Sequence, residues 1–243
     1  MPHQESSPDG TGSAGFDPRA QPLVQCSALP GLQTGATRID FIRAAFRSSV
    51  RWQVEPIFTK SFEPGTTLPK DVRRAAVLVP LVQRESGLHV IFTRRADHLH
   101  DHAGQISFPG GQIEPGDENP VATAMRETYE EIGVEPRYVS VIGTQPSFLT
   151  STRFVMTPII GELLPGFVIR SDDDEVAEVF EVPLNVLMDP QLHCLHLVTL
   201  PDGSTRRYFS ITWQSYFIWG ATAVLLRNFY HYLAAAQPLL LEV

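Results

Sequence analysis

The spacing of apolar residues along the chain predicts a mixed α/β protein. Apolar runs from Ala75 to Val82 and from Gly87 to Arg95 predict two strands joined by the turn QRESG. Apolar residues at helical spacing predict a short helix from about Ile39 to Arg47. The remaining short elements are predicted to be strands at residues 138–144 and 154–163, a strand and a short helix within residues 175–189, and a hairpin whose strands, 195–200 and 206–211, flank the turn PDGS.

Two longer helices are also predicted. The first is marked by its ends: Asn119 is a suitable N-cap, Pro120 suits the first helical position, and Gly133 can end the helix in a left-handed conformation. The second runs from about Trp219 to Ala236 and is strongly apolar. Polar residues interrupt its sequence, so it is predicted to be a buried helix rather than a membrane span.

Composition and charge limit the class of protein. The chain has 243 residues, of which 43% are hydrophobic, which is enough for one domain with a full core. Its net charge of −8 argues against binding to long nucleic acid through a general basic surface. We therefore expect a small-molecule partner, no nucleic acid or membrane partner, and a chain that works as a monomer or homodimer.

The N-terminal region differs from the rest of the chain. Residues 1–36 are rich in Pro, Gly, Ser and Asp and are predicted to be a flexible arm. Residues 37–70 are predicted to hold the short helix and an irregular extension, and residues 71–243 to form the main domain. Cys26 and Cys194 are far apart and lack metal-binding spacing, so we expect two unpaired thiols in a reducing cytoplasm.

Three carboxylates lie within five residues in the stretch RETYEEIG, which starts at Arg126. On a helix, Glu127, Glu130 and Glu131 fall within an arc of roughly 100°. Like charges at this spacing repel, so either the face is well solvated or a cation offsets the repulsion. A hard divalent cation such as Mg²⁺ prefers carboxylate and carbonyl oxygens. These residues alone leave both interpretations open.

The surrounding residues resemble the Nudix box of the Nudix hydrolases. The segment GGQIEPGDENPVATAMRETYEEIGV, residues 110–134, matches that motif at Gly111, Asp117, Arg126, Glu127, Glu130, Glu131, Gly133 and Val134. The resemblance implies a Nudix-type α/β/α sandwich with a mixed sheet, in which a catalytic loop-helix-loop binds Mg²⁺, with Mn²⁺ as an alternative. Asp117 replaces the usual glutamate, with one extra residue before Arg126, and Thr128 replaces a bulky aliphatic residue.

The segment before the box is similar to a signature of the coenzyme A pyrophosphatase branch of that family. IFTRRADHLHDHAGQISFPGG, residues 91–111, matches it at Thr93, Arg95, Ala96, Gly104, Phe108, Pro109, Gly110 and Gly111. His100 stands where the branch has arginine. The segments EVAEVFEVPL and IWGATA also resemble this branch, so the resemblance covers about residues 73–227.

The resemblance implies hydrolysis of the pyrophosphate of coenzyme A, or of its thioesters, to 3′,5′-ADP and 4′-phosphopantetheine or its acyl form. The implied metal ligands are Glu127, Glu130, Glu131 and the Gly111 carbonyl, and the implied catalytic residues are Glu130, Glu127 and Arg126. Substrate contacts are expected from Arg95, His102, Gly104, Gln105 and Phe108. A carboxylate must also accept a proton, and the candidates are Glu175 and Glu178.

Several alternatives stay open on the sequence. The substrate could be another nucleoside diphosphate derivative, such as ADP-ribose or NADH, or the chain could be a catalytically silent Nudix module that senses nucleotides. The histidines of HLHDH, residues 98–102, could ligate a transition metal, although a loop is favoured. The acids of SDDDE, residues 171–175, are favoured to be a solvated turn, and Glu175 and Glu178 to be solvated acids beside a strand.

Overall fold

A computed structural model describes residues 16–55, 72–99, 102–150, 152–200 and 203–241. The four helices within these ranges are α1 (Ile39–Arg47), α2 (Pro120–Ile132), α3 (Leu184–Leu187) and α4 (Ala221–Leu240). The strands are β1 (Leu23–Cys26), β2 (Arg73–Arg84), β3 (Gly87–Arg95), β4 (Ile106–Ser107), β5 (Gly110–Gln112), β6 (Val139–Thr144), β7 (Phe148–Leu149), β8 (Phe154–Leu163), β9 (Val176–Pro183), β10 (His193–Thr199), β11 (Thr205–Trp213) and β12 (Tyr216–Trp219).

The strands form two sheets. The larger sheet has the order β4-β3-β2-β8-β6, with β5 paired to β2, β7 to β8 and β9 to β3. Strands β2 and β8 are parallel, whereas β3, β5 and β9 pair antiparallel to their neighbours, so the sheet is mixed. The smaller sheet is antiparallel in the order β1-β10-β11-β12. The predicted α/β class with a mixed sheet is confirmed.

Helices cover both faces of the larger sheet. Side chains along β2 alternate between these faces and so contact both helical layers. Ala76 and Leu78 pack in one core with Ala124 and Ile132 of α2. Val77 and Val79 point to the other face, into a core shared with α1 and α4. This arrangement of helix, sheet and helix is the predicted sandwich, and it places α2 against β2 and β5.

The C-terminal helix is buried in the protein, as predicted. Arg227 and Asn228 are buried and both bind Glu55, which precedes β2 in the chain: Arg227 Nε donates to the Glu55 carboxylate, and Asn228 Oδ1 accepts the Glu55 backbone N–H at 2.9 Å. Burial alone would raise the pKa of Glu55, but hydrogen bonds from His231 and Arg227 lower it to about 2. None of the helices in the described residues has the length and apolar character needed to cross a bilayer.

The prediction of a flexible arm is wrong for residues 16–36, the part of the arm that the structure describes. Strand β1 pairs with β10, the Tyr208 hydroxyl donates to the Pro18 carbonyl, and Ala36 is fully buried. The composition of the arm argues against a core of its own, but it does not prevent pairing with a sheet edge that distant residues supply. The division between residues 37–70 and 71–243 stays a prediction, and residues 56–71 lie outside the described residues.

The prediction of two unpaired thiols is also wrong, because Cys26 and Cys194 form a disulfide. The two residues lie directly opposite each other on β1 and β10, and 168 positions separate them in sequence. Sequence spacing does not reveal such a pairing, since the strand ladder creates it. The disulfide removes the cysteine-based reason for expecting a cytoplasmic location.

Candidate active site

The ends of α2 are formed as the sequence predicts. Asn119 Oδ1 accepts hydrogen bonds from the backbone N–H groups of Val121 at 2.9 Å and Ala122 at 3.1 Å, and Pro120 occupies the first turn. Gly133 has φ 71° and ends the helix in the left-handed region. These caps fix which residues of RETYEEIG face the sheet and which face solvent.

The glycine-rich turn before α2 approaches the helix closely. A Cβ at Gly110, which has φ 153°, would lie 2.4 Å from the Ala76 carbonyl oxygen, so only glycine fits beside β2. A Cβ at Gly111 would lie 2.4 Å from Glu127 Oε1. The carboxylate of Glu127 therefore lies directly against the backbone of β5, and a side chain at position 111 would displace it.

Arg126 joins the turn to the acidic face of α2. Its Nε and Nη2 donate to the two carboxylate oxygens of Asp117 at 3.1 and 3.0 Å. Its Nη1 donates to Glu127 Oε1 and to Glu130 Oε2, both at 2.9 Å. The guanidinium thus bridges three carboxylates and offsets part of the repulsion between them.

Asp117 fills the position where the Nudix box has glutamate. The Arg126 guanidinium, together with the Glu114 backbone N–H, holds the pKa of Asp117 well below its usual range. The Thr123 hydroxyl also donates to Asp117 Oδ2, at 2.9 Å. The shorter side chain is therefore still tied to both the turn and the first helical turns.

Glu131 is the most deeply buried acid of the arc. Burial, followed by repulsion from Glu127 and Glu175, raises its pKa to about 8, although the Gly110 N–H, 3.5 Å from Oε1, acts in the opposite direction. Burial also raises the pKa of Glu127. The raised pKa values show that burial and mutual repulsion disfavour the charged forms of these carboxylates. A divalent cation stabilises the charged forms, so such a cluster suits cation binding.

The substitution Glu131→Gln is expected to stabilise the metal-free protein at alkaline pH. A carboxyl whose pKa rises from 4.5 to about 8 on folding stabilises the folded state fully below about pH 4.5, and that contribution is lost as the pH rises through about 8. Glutamine keeps an acceptor for the Gly110 N–H and does not titrate. With EDTA present, the melting temperature of the variant should exceed that of the wild type at about pH 9 and match it near about pH 5.

The control for this prediction is Glu118→Gln, which changes an exposed acid just before the same helix. It should leave the pH dependence of the melting temperature unchanged. If the melting temperatures of Glu131→Gln and wild type differed by the same amount at both pH values, the assignment of a raised pKa to Glu131 would be contradicted.

In the described ranges, no three His, Cys, Asp or Glu side chains are grouped closely enough to hold a metal ion as they stand. The geometry explains this separation, since Arg126 draws Glu127 and Glu130 to itself while Glu131 lies at the Gly110 N–H. The donor set nevertheless fits a hard cation, because the carboxylates of Glu127, Glu130 and Glu131 offer hard oxygen ligands. The assignment of metal ligands stays a prediction.

The two candidate bases differ in their surroundings. Both oxygens of Glu178 are engaged: Oε2 accepts from Arg94 Nε at 3.3 Å, and Oε1 accepts from the Tyr216 hydroxyl at 2.6 Å. Glu175 lies close enough to Glu127 and Glu131 to raise the pKa of each through charge repulsion. The structure therefore brings Glu175, and not Glu178, into the acidic cluster.

Arg94 and Arg95 follow each other on β3 and point to opposite faces of the sheet, as the strand pattern predicts. Arg94 pairs with Glu178 and Asp97. The positive charge of Arg95 lowers the pKa of Glu131, which places Arg95 beside the acidic cluster. Of the two arginines, Arg95 is thus the one positioned to meet an anionic ligand there.

The other expected substrate contacts lie in the loop between β3 and β5. His102 is exposed with φ 60°, and Gly104 follows with φ 68°, so the chain turns sharply there. Gln105 is half-buried and faces Gly220 at the start of α4. Phe108 is only 2% exposed and stacks on Phe92, so its ring supports the turn from within the core. His98 is described, whereas His100 lies outside the described residues.

Three contacts of the site lack a strong sequence signal. Thr123 is fully buried and anchors Asp117, and a polar residue on the apolar side of a predicted helix is the only hint of it. Thr128 is fully buried too, and its hydroxyl donates to the Ala124 carbonyl at 2.6 Å, which explains how it replaces an aliphatic residue. Tyr216 reaches Glu178 from the smaller sheet, a contact that only the tertiary fold creates.

Comparisons with known proteins agree with this geometry. The family model of the NUDIX domain matches residues 72–200. Relatives described as an uncharacterized Nudix hydrolase, NudL, from Salmonella paratyphi B and from Salmonella newport are each 41% identical over 158 residues, covering 64% of this chain and 80% of theirs. An Ap4A hydrolase structure from C. elegans has a TM-score of 0.40 at 17% identity, covering 45% of this chain and 80% of that one, and at this score it carries no weight for activity. The family match and the relatives show that the chain belongs to the Nudix hydrolase family, which acts on nucleoside diphosphate derivatives and generally uses divalent metal ions.

Proposed function

We propose that this Nudix hydrolase cleaves the pyrophosphate of coenzyme A or its thioesters, giving 3′,5′-ADP and 4′-phosphopantetheine or its acyl form. One observation supports the proposal: two residues of the segment that resembles the coenzyme A branch, one near each end, act on the same carboxylate of the acidic cluster. Arg95, near its start, lowers the pKa of Glu131, and Gly110, near its end, directs its N–H toward the same carboxylate. These two contacts connect the branch-like segment to the cluster proposed to do the chemistry.

The proposed metal ligands are Glu127, Glu130, Glu131 and the Gly111 carbonyl, and the proposed ion is Mg²⁺, with Mn²⁺ as the alternative. When bound, such an ion neutralises pyrophosphate charge, acts as a Lewis acid and lowers the pKa of bound water. Arg126 holds the carboxylates of Glu127 and Glu130 in place, both at 2.9 Å, and thereby prepares the acidic face. Arg95 supplies the cation that would orient a phosphate group.

Glu175 is the proposed base. Water loses a proton as it attacks phosphorus, and a nearby carboxylate must accept that proton. Glu175 meets the requirement because it belongs to the acidic cluster, whereas Glu178 is already held by Arg94 and Tyr216. Glu175 closes the turn formed by residues 172–175, in which the Asp172 carbonyl accepts the Glu175 backbone N–H at 3.1 Å.

The substitution Glu175→Gln is expected to lower kcat by about 10- to 100-fold with little change in KM, because glutamine cannot accept the proton. This loss of kcat is small for the removal of a general base, because neighbouring carboxylates can also accept the proton. Steady-state kinetics with coenzyme A as a function of pH would measure it. The matched control is Glu178→Gln on the same segment, which should retain kcat within about threefold. A larger loss of kcat in Glu178→Gln than in Glu175→Gln would contradict the assignment of Glu175 as the base.

The substrate is tested by kcat/KM across coenzyme A, acetyl-coenzyme A, ADP-ribose and NADH. Coenzyme A or its thioester should be the best substrate by at least about tenfold, a difference of about 1.4 kcal/mol in transition-state binding. A clear preference for ADP-ribose or NADH would contradict the proposal and favour the broader nucleoside diphosphate alternative. Binding without any turnover would favour a silent nucleotide-sensing module.

A further inference from the structure

A groove of about 560 Å³ lies at the C-terminal end of α2, next to the acidic cluster. The residues of its lining that matter here are Tyr129, Glu130, Arg137, Tyr138, Val168 and Arg170. Glu130 belongs both to this groove and to the acidic arc that Arg126 gathers. Glu130 is therefore the residue through which the groove adjoins the acidic cluster.

The groove exposes aromatic and apolar side chains. Tyr129 is 53% exposed and Val168 is 62% exposed, which are high values for such residues. Among the described residues, the ring of Tyr129 stacks on no other aromatic ring, whereas Tyr138 already carries Arg137 over its face at 4.9 Å. Tyr129 therefore offers the groove a ring face for a planar ligand.

The charges of the groove are unequally paired. Arg137 pairs with Glu135 at 2.7 Å, and Glu130 pairs with Arg126 at 2.9 Å. Within the part of the chain that the structure describes, Arg170 is an exposed cation of the groove that takes part in no ion pair. Its guanidinium can accordingly bind an anionic group without first releasing a carboxylate.

The backbone holds Arg170 in position at the end of the helix. Its N–H donates to the Ile132 carbonyl at 2.9 Å, and a Cβ added at Gly133 would lie 3.0 Å from the Arg170 Cβ. Two residues later, the Asp172 N–H donates to the Glu131 carbonyl at 3.0 Å. The same loop continues to Glu175, so it links the groove to the proposed base.

We propose that this groove binds the 3′-phosphorylated nucleoside half of the substrate, with the base against Tyr129 and the 3′-phosphate at Arg170. The inference rests on the proposed function, because a 3′-phosphate distinguishes coenzyme A from ADP-ribose and NADH. A planar base needs an aromatic or apolar face, and a phosphate dianion needs an unpaired cation. The groove supplies both beside the site where the pyrophosphate would be cleaved, which makes Arg170 a specificity-determining residue.

The test compares coenzyme A with dephospho-coenzyme A, which lacks the 3′-phosphate. Arg170→Ala should raise KM for coenzyme A by about tenfold or more, keep kcat within about twofold, and leave KM for dephospho-coenzyme A unchanged. Arg170→Lys should recover part of the loss, because it restores the charge without the planar fork. The control is Arg207→Ala, an exposed arginine on β11 of the smaller sheet, which should behave as wild type with both substrates.

Equal effects of Arg170→Ala on the two substrates, or no effect on either, would overturn the inference while leaving the proposed function intact. A direct titration of metal-free protein with 3′,5′-ADP and with 5′-AMP separates the two claims. If wild type cleaves neither coenzyme, the proposed function fails, and the titration still decides on the groove. If 3′,5′-ADP binds more tightly than 5′-AMP and Arg170→Ala removes this difference, the inference is supported. Equal affinity of the wild type for the two nucleotides would overturn it.

Discussion

The Glu130→Gln variant is expected to lose at least about 100-fold in kcat, near 2.7 kcal/mol of activation free energy, while retaining its fold. The side chain of Glu130 is 54% exposed, so an isosteric amide disturbs no packing. Its charge is needed for a different reason, because an amide is a much poorer ligand for a hard divalent cation than a carboxylate. Steady-state turnover of coenzyme A with Mg²⁺ measures the loss, and thermal unfolding checks the fold.

The matched control is Glu114→Gln, which changes an exposed acid that also approaches Arg126, at 4.0 Å. It should retain near-normal turnover, because Glu114 lies outside the helical arc. Raising the Mg²⁺ concentration should restore part of the activity of Glu130→Gln if the loss arises from weakened metal binding. Near-normal turnover in Glu130→Gln itself would reject its assignment as a metal ligand.

Loss of the Cys26–Cys194 disulfide is expected to lower the free energy of unfolding by about 2–4 kcal/mol, or the melting temperature by about 5–10 °C. The bridge joins residues 168 positions apart, so it closes a long loop and lowers the conformational entropy of the unfolded chain. It also holds the four-residue strand β1, whose side chains are all exposed, at the edge of the smaller sheet. Denaturant unfolding of Cys26→Ser/Cys194→Ser beside wild type measures the effect.

The reductant dithiothreitol provides the control for the disulfide. It should lower the stability of the wild type to that of the double variant and leave the double variant unchanged. An unfolding free energy that reduction does not alter would show that the bridge contributes nothing to stability. Activity should change little in either case, because β1 lies in the smaller sheet and outside the acidic cluster.

Local signals explain why much of the site could be predicted from the sequence. Asn119, Pro120 and Gly133 form the two ends of α2 through contacts with residues close to them in sequence. Once the helix is fixed, its geometry places Glu127, Glu130 and Glu131 on one arc. The strand from residues 154 to 163 follows in the same way from a mostly apolar run.

The features that the sequence does not reveal depend on contacts between distant residues. Strand β1 has no alternation to detect, and its partner β10 lies far along the chain. The contrast between Glu175 and Glu178 arises from Tyr216, which reaches across from the smaller sheet. Phe108 matches a family motif, but only the stack on Phe92 shows that its ring lies in the core.

The central claim is that the chain hydrolyses the pyrophosphate of coenzyme A by a metal-dependent reaction. The most direct measurement is mass identification of the products after incubation of the protein with coenzyme A and Mg²⁺, with EDTA in a parallel sample. Coenzyme A pyrophosphatase activity should give 3′,5′-ADP and 4′-phosphopantetheine in equal amounts with Mg²⁺ and neither with EDTA. Intact coenzyme A in both samples, alongside turnover of ADP-ribose or NADH under the same conditions, would contradict it.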